Sequence, residues 1–246
     1  NIALAGDNIY MREGEYTEKL KIPNFSSQRK SGTSDNLITL SSYPGEWAKI
    51  NGWIKYESGN QRLRFWRFQK FEINQGFISI YGADNLDFRY LYIHDNPYGR
   101  YAGEEYNAGA ITFPNQVSPA MNVSIKYCWF PRNTTGIKFF SDYRENPELV
   151  KINEALSMNE LAYNLIEDDF SHSLHYKNNQ ALSLDNSGTH TTYNYMGDKI
   201  HHNIIRNSSG NTINSQDFMQ IYKNVFDNTK IDIGSNYSSD REPFYV

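Results

Sequence analysis

One cysteine, Cys128, occurs in 246 residues, so no disulfide can form within the chain and the fold must be held by burial and hydrogen bonding. Between Tyr127 and Trp129 it reads as a small core residue, not as a reactive thiol, and it leaves the compartment open. No run of about 18 apolar residues is present, which excludes an apolar membrane-spanning helix. A secretory leader is missing too: "NIALAGD" opens directly on what reads as a first strand, the expectation for a chain whose leader has been removed. Charge of one sign is scarce. With 24 Lys and Arg against 28 Asp and Glu the formal net charge is −4, which gives nucleic acid no electrostatic footprint.

What is present suits a folded soluble chain, with 39% hydrophobic and 21% charged residues. The organising signal is repetition. "YNLIEDD" (163–169), "HHNIIRN" (201–207) and "YKNVFDN" (222–228) share a pattern of Asn, two apolar residues, a polar residue, then Asn or Asp, and "YLYIHDN" (90–96) and "YCWFPRN" (127–133) are looser copies. Anchored on Leu91, Cys128, Asn164, Asn203 and Asn224, the copies lie 37, 36, 39 and 21 residues apart. A second apolar-polar-apolar ladder runs between them in "FISIYG" (77–82), "AITFPN" (110–115), "GIKFFS" (136–141), "ALSLDN" (181–186), "TINSQD" (212–217) and "IDIGSN" (231–236). Two short period-2 strands per unit, divided by Asn, Gly and Ser turns, predict one all-β domain over 1–246: a parallel β-solenoid whose longer units carry inserted loops.

Stacking fixes how single residues are read, because counterparts in successive units lie one above another at the inter-strand spacing. Asn164, Asn203 and Asn224 then form an inward amide ladder. His201 and His202 are expected to diverge, since neighbouring strand residues point to opposite faces, so "HHN" reads as a repeat and not as a metal site. Two charged columns, His94, Pro131, Glu167, Arg206, Asp227 and Asp95, Arg132, Asp168, Asn207, Asn228, set opposite charges side by side. "IEDD" (166–169) is thereby open to two readings, an ion-pair ladder or a calcium cluster of hard carboxylates.

At the front of the chain, "AGDNIYMREGEYTEKLKI" (5–22) followed by "DNLITLSSYPGEWAKINGW" (35–53) resembles the opening of the pectate-lyase-like superfamily, with its Gly-Asp turn, Gly-x-Tyr turn and Tyr-Pro-Gly-Glu segment. The repeats extend the likeness over nearly the whole chain. The resemblance implies an all-β, right-handed single-stranded parallel β-helix with loop insertions. It leaves the activity open, because lyases, hydrolases, epimerases, tailspikes, adhesins and noncatalytic surface proteins share that fold.

For the lyases of this superfamily, β-elimination needs an Arg or Lys to take the proton beside a uronate carboxylate, and Ca²⁺ or a basic group to neutralise that carboxylate. The richest polar cluster is "EDDFSHSLHYKNN" (167–179) with Lys138 and Asp142 in the preceding unit. On the lyase reading Lys177 or Arg206 is the base, Asp142, Asp168 and Asp169 hold Ca²⁺, and Lys138, His172 and His175 bind substrate. The loop residues Tyr98, Arg100, Tyr101 and Tyr106 form a sugar-stacking or protein-contact platform. An acidic polysaccharide would lie along loops 97–109, 142–160 and 167–180. The same residues also read as an ordinary solvated loop.

Hydrolases of this fold place paired aspartates before the second-ladder strands; here Asn74-Gln75-Gly76, Asn107-Ala108-Gly109, Thr134-Thr135 and Asn179-Gln180 stand there, with no carboxylate pair. Asn24, Asn122, Asn133, Asn207 and Asn236 begin glycosylation sequons, compatible with an extracellular protein. The competing expectation is a noncatalytic surface or filament protein. Its uncapped strand edges, before residue 6 and after "IDIG", would drive end-to-end self-association.

Overall fold

The computed structural model describes residues 3–23, 31–57, 62–96, 109–114, 120–142, 158–169, 172–179, 198–208, 211–214 and 219–233. Among these the regular structure is all strand, without a helix. The strands fall into eight tiers of three in chain order. The first tier is β1 (Asn8–Met11), β2 (Gly14–Tyr16) and β3 (Leu20–Ile22), and the second β4 (Ile38–Ser42), β5 (Ala48–Asn51) and β6 (Ile54–Tyr56). The third is β7 (Leu63–Gln69), β8 (Phe71–Asn74) and β9 (Ile78–Ile80), and the fourth β10 (Ala83–Arg89), β11 (Tyr92–His94) and β12 (Ile111–Phe113). The fifth is β13 (Ser124–Lys126), β14 (Trp129–Pro131) and β15 (Thr135–Asp142), and the sixth β16 (Glu160–Ala162), β17 (Leu165–Glu167) and β18 (His172–Asn179). The seventh is β19 (Asp198–His201), β20 (Ile204–Arg206) and β21 (Asn211–Asn214), and the eighth β22 (Met219–Tyr222), β23 (Val225–Asp227) and β24 (Lys230–Ile233).

Each strand pairs in parallel with its counterparts in the adjacent tiers, so that first strands form sheet A, second strands sheet B and third strands sheet C, each eight-stranded. Two strands per unit were expected and three are found. From the third tier on, the strands of sheet A reach those of sheet B through a corner of one or two residues, which hid sheet A from the sequence reading. One residue of that corner has positive φ: Lys70, Tyr90, Tyr127, Tyr163, His202 and Lys223, with φ between 53° and 59°. A single left-handed residue shifts the phase of the inside-outside alternation and merges two strands into one apparent segment.

The core is built from columns. Ile50, Ile73, Ile93, Phe130, Ile166 and Ile205 stack in register through sheet B and are no more than 1% exposed. Ile54, Ile78, Ile111 and Ile137 do the same in sheet C. β-Branched residues suit such strands, buried on the inner face and stiff at χ1, and each buried side chain of this size contributes about 1.5–3 kcal/mol. Phe68 stacks on Phe88 at 5.1 Å between ring centroids and Phe113 on Phe139 at 4.8 Å, while Phe88 meets Phe113 edge-on at 5.9 Å.

Polar ladders close the three corners. Between sheets A and B, Asn164 Oδ1 accepts from the Cys128 N–H, Asn203 Oδ1 from Asn164 N–H and Asn224 Oδ1 from Asn203 N–H, all at 3.0 Å. The amide nitrogens of Asn164, Asn203 and Asn224 donate to Ile125, Leu161 and Ile200 carbonyls at 2.9 Å. The expected amide ladder is present, and each rung ties its own tier to the one before. Between sheets B and C, Asn133 Oδ1 accepts from Asn96 N–H and Asp169 Oδ1 from Asn133 N–H, both at 3.2 Å. Between sheets C and A, Asn159 Oδ1 accepts from Val123 N–H and Asp198 Oδ1 from Asn159 N–H, both at 2.9 Å. Asn133 is thus fully buried, which removes its sequon from the accessible surface.

Candidate functional site

Sheet C brings several of the predicted residues onto two adjacent strands. Strands β15 and β18 pair in parallel, with Thr135 beside His172, Lys138 beside His175, Phe140 beside Lys177 and Asp142 beside Asn179. Lys138 alternates with the core residues Ile137 and Phe139 and so stands on the column directed away from the core, which runs Lys55, Ser79, Thr112, Lys138, His175. Ser79, Thr112 and Lys138 are nonetheless buried, Lys138 being 5% exposed. Thr112 Oγ1 accepts the Gly109 N–H at 2.5 Å, which fastens the entry to β12. This part of sheet C therefore sets a buried lysine in register with buried Ser79 and Thr112, with a histidine at the next backbone position of the column.

Asp168 and Asp169 do not share one environment, and the side chain of Asp142 lies outside the described residues. Asp168 occupies the left-handed corner between sheets B and C, with φ 57°. Asp169 is 1% exposed and turned into the interior, where it takes the Asn133 N–H. Burial pushes its carboxyl well above the usual range, and the neighbouring carboxylates Asp168 and Glu167 push it further. Calcium takes about six to eight ionised or carbonyl oxygens, and a buried carboxyl whose pKa is raised is a poor member of such a set. Asp169 therefore suits its place on the Asn133 N–H better than a place in a calcium set, and no chemistry is assigned to calcium. Among the described residues no group of three or more His, Cys, Asp or Glu is placed to hold a metal.

Arg206 lies apart from this cluster, on sheet B. Its Nε donates to Glu167 Oε2 at 2.5 Å, and that hydrogen bond and charge raise its pKa. Held as a cation on another sheet, it is no proton acceptor for the sheet C cluster, which leaves Lys177 as the base candidate. Tyr98, Arg100, Tyr101 and Tyr106 lie outside the described residues, as do parts of the loops expected to line the groove.

The charge ladder is present where the repeats set it. Arg132 grips Asp95 through Nε and an Nη at 2.7 Å each, and this holds the Asp95 carboxyl down at about 2. His94 lies between Asp95 and Glu72, its Nδ1 2.5 Å from Asp95 Oδ2 and its Nε2 3.0 Å from Glu72 Oε1. On sheet A, Asp87 receives Arg67 at 2.8 Å and Arg89 at 2.7 Å, and Glu160 meets Lys126 at 2.7 Å and His201 at 3.0 Å.

The histidine pair corrects an expectation. His201 and His202 converge, with Nδ1 atoms 2.7 Å apart. His202 has left the strand for the left-handed corner, at φ 55°, so strict alternation ends one residue earlier than assumed. One ring must donate and the other accept, so the two Nδ1 atoms are not both protonated. Burial first, then the charges of His201 and Lys223, lowers the His202 pKa.

The aromatic surface was expected in the 98–106 loop, but the described structure carries one of its own. Tyr90, Tyr127 and Tyr163 occupy successive corners, half-exposed, with parallel rings at 5.3 and 5.2 Å, and His202 extends the stack at 5.0 Å. Two positions along, Tyr92, Trp129, Leu165, Ile204 and Val225 form the adjacent outward column of sheet B. The aromatic ring just before Leu91, Cys128, Asn164 and Asn203 was the available signal, although Lys223 breaks it before Asn224. No family model matches the chain, and no curated protein or solved structure matches it.

Proposed function

We propose that the protein is an extracellular, carbohydrate-active right-handed single-stranded parallel β-helix of the pectate-lyase-like kind, which engages an acidic polysaccharide along sheet C. One observation carries this reading: the β15–β18 register sets Lys138, Asp142, His172, His175 and Lys177 on two hydrogen-bonded strands. The repeating three-strand tier supports the solenoid, and a linear polymer is the ligand class that an extended row of equivalent positions suits.

In the elimination, Lys177 as the free amine takes the proton from the carbon bearing the uronate carboxylate. The electrons of that C–H bond form a C=C bond, and the glycosidic oxygen on the neighbouring carbon leaves and is protonated. The developing negative charge on the carboxylate is met by the Lys138 ammonium and a protonated His175, the basic-group alternative to calcium.

The test is incubation with a panel of uronate polymers, followed by ultraviolet absorbance of the unsaturated product, with and without added calcium. Product is expected on at least one polymer, lost in Lys177→Ala with substrate binding retained. Silence across the whole panel under both conditions sinks the lyase chemistry, and failure of every polymer to bind sinks the carbohydrate reading as well.

A further inference from the structure

The outward face of sheet B is unusual for a protein surface. Trp129 is 42%, Ile204 45% and Val225 55% exposed, with Leu165 half-buried between them in the same column. Beside them runs the corner column Tyr90, Tyr127, Tyr163, His202, Lys223. Contiguous apolar surface of this kind marks a contact site, and Trp, Tyr and Arg are the residues that dominate protein interfaces. A sugar is a poor occupant here. The tyrosine faces are closed by mutual stacking, with interplanar angles of 9–12°, and Ile204 and Val225 offer a sugar no hydrogen bond.

We propose that this face is a two-fold interface with a second copy of the chain, packed antiparallel and centred between the sixth and seventh tiers. A two-fold axis in the interface, at right angles to the columns, lays each column on its own copy in reverse order, so the column sequences themselves test the idea. Leu165 then meets the partner's Ile204, and Trp129 meets the partner's Val225. In the corner column the Tyr163 ring edge meets the partner's His202, and the ring edge and hydroxyl of Tyr127 meet the partner's Lys223, whose ammonium can donate to that oxygen. At the edge, Glu167 meets the partner's Arg206. Every one of these pairings is apolar on apolar, aromatic on aromatic, ammonium on hydroxyl or opposite in charge, and none sets like charges together. Centring one half-tier further, on the seventh tier, would set Glu167 against the partner's Asp227 and lose that match.

Sedimentation velocity over a wide concentration range tests the assembly, and single cysteines test its register. A dimer is expected for the native chain and a monomer for Ile204→Lys, with the far-ultraviolet circular dichroism of that variant unchanged. Should Ile204→Lys fail to fold, Lys223→Glu gives the same readout at the rim as a measurable weakening of the dimer. Under mild oxidation Leu165→Cys, next to the axis, should cross-link to its own copy, whereas Val225→Cys, at the far end of the column, should not. A monomer throughout, a dimer indifferent to Ile204→Lys and Lys223→Glu, cross-linking in the reverse order, or polysaccharide bound through this face by a monomer would each overturn the proposal.

Discussion

At the scale of single residues, the chain spends its polar side chains on holding tiers together. The Asn203 side chain makes four hydrogen bonds: its Oδ1 accepts from the main-chain and side-chain nitrogens of Asn164, and its Nδ2 donates to Leu161 O and Asn224 Oδ1. Asn203→Ala strands buried donors and acceptors on both neighbours, so a loss of about 2–3 kcal/mol is expected in denaturant titration. Asp169 sits at an equivalent place in the second ladder but carries an acid. Its folded pKa is raised, so folding takes up a proton there: the position is harmless at low pH and destabilising as pH rises above about 4, the unfolded value. Asp169→Asn should therefore raise the melting temperature at neutral pH and leave it unchanged near pH 3. A gain that is the same at both pH values would show that the charge is not the cause. Asp95 has the opposite sign. Its folded pKa of about 2 is below the unfolded value, so its pairing with Arg132 stabilises fully above about pH 4 and is lost as pH falls towards 2. Arg132→Gln should lower the melting temperature slightly at neutral pH, the effect being small because both groups are well exposed, and leave it unchanged near pH 2. Cys128, buried with its thiol pushed up to about 12, should react with thiol reagents only on unfolding.

At the scale of the element, the corners decide the geometry. Gly76 follows β8 where successive tiers approach closest: a Cβ there would lie 1.5 Å from the Gly52 carbonyl oxygen, which is backbone and cannot swing aside. Gly76→Ala should cost about 1–3 kcal/mol through forced backbone movement, read as a lower denaturation midpoint with an unchanged slope. These corners also mark the limit of what the residues disclosed in advance. Period-2 alternation made sheet B and most of sheet C legible, but in the sixth tier the sheet C strand is His172–Asn179, where an inserted loop was expected, and the expected strand "ALSLDN" lies outside the described residues. The Asn164–Asn203–Asn224 spacing disclosed the amide ladder and the Glu167–Arg206 pair. The third sheet was hidden by the left-handed residue at the A/B corners of the third to eighth tiers. That conformation is ordinarily signalled by Gly or Asn, but here Tyr, His and Lys adopt it, and they carry no such signal. The same substitution hid the exposed aromatic face and the convergence of His201 with His202. The sheet C cluster was half legible: the residue types were visible, but the register that sets Lys138 beside His175 depends on an insertion length that composition does not encode.

At the scale of the whole molecule, the described strands of each tier pair only with those of adjacent tiers, so stability is close to a sum of nearest-neighbour terms. Ile166→Ala, in the middle of the sheet B column, should cost about 2–5 kcal/mol, and the damage should stay local. Hydrogen exchange is expected to accelerate in β13 through β20 and to keep its native rate in β4 through β9. Uniform acceleration along the chain would show one cooperative unit instead.

The stacked corner of Tyr90, Tyr127 and Tyr163 has an optical consequence. Three phenol rings held nearly parallel with centroids 5.2–5.3 Å apart have coupled electronic transitions, and coupling in a chiral frame strengthens and reshapes their near-ultraviolet circular dichroism relative to that of isolated tyrosines. The signal depends on the fourth, fifth and sixth tiers remaining in register, and Tyr127→Phe would interrupt it at the central ring. The chain thus carries a built-in spectroscopic ruler across its middle tiers, readable in dilute solution without a label.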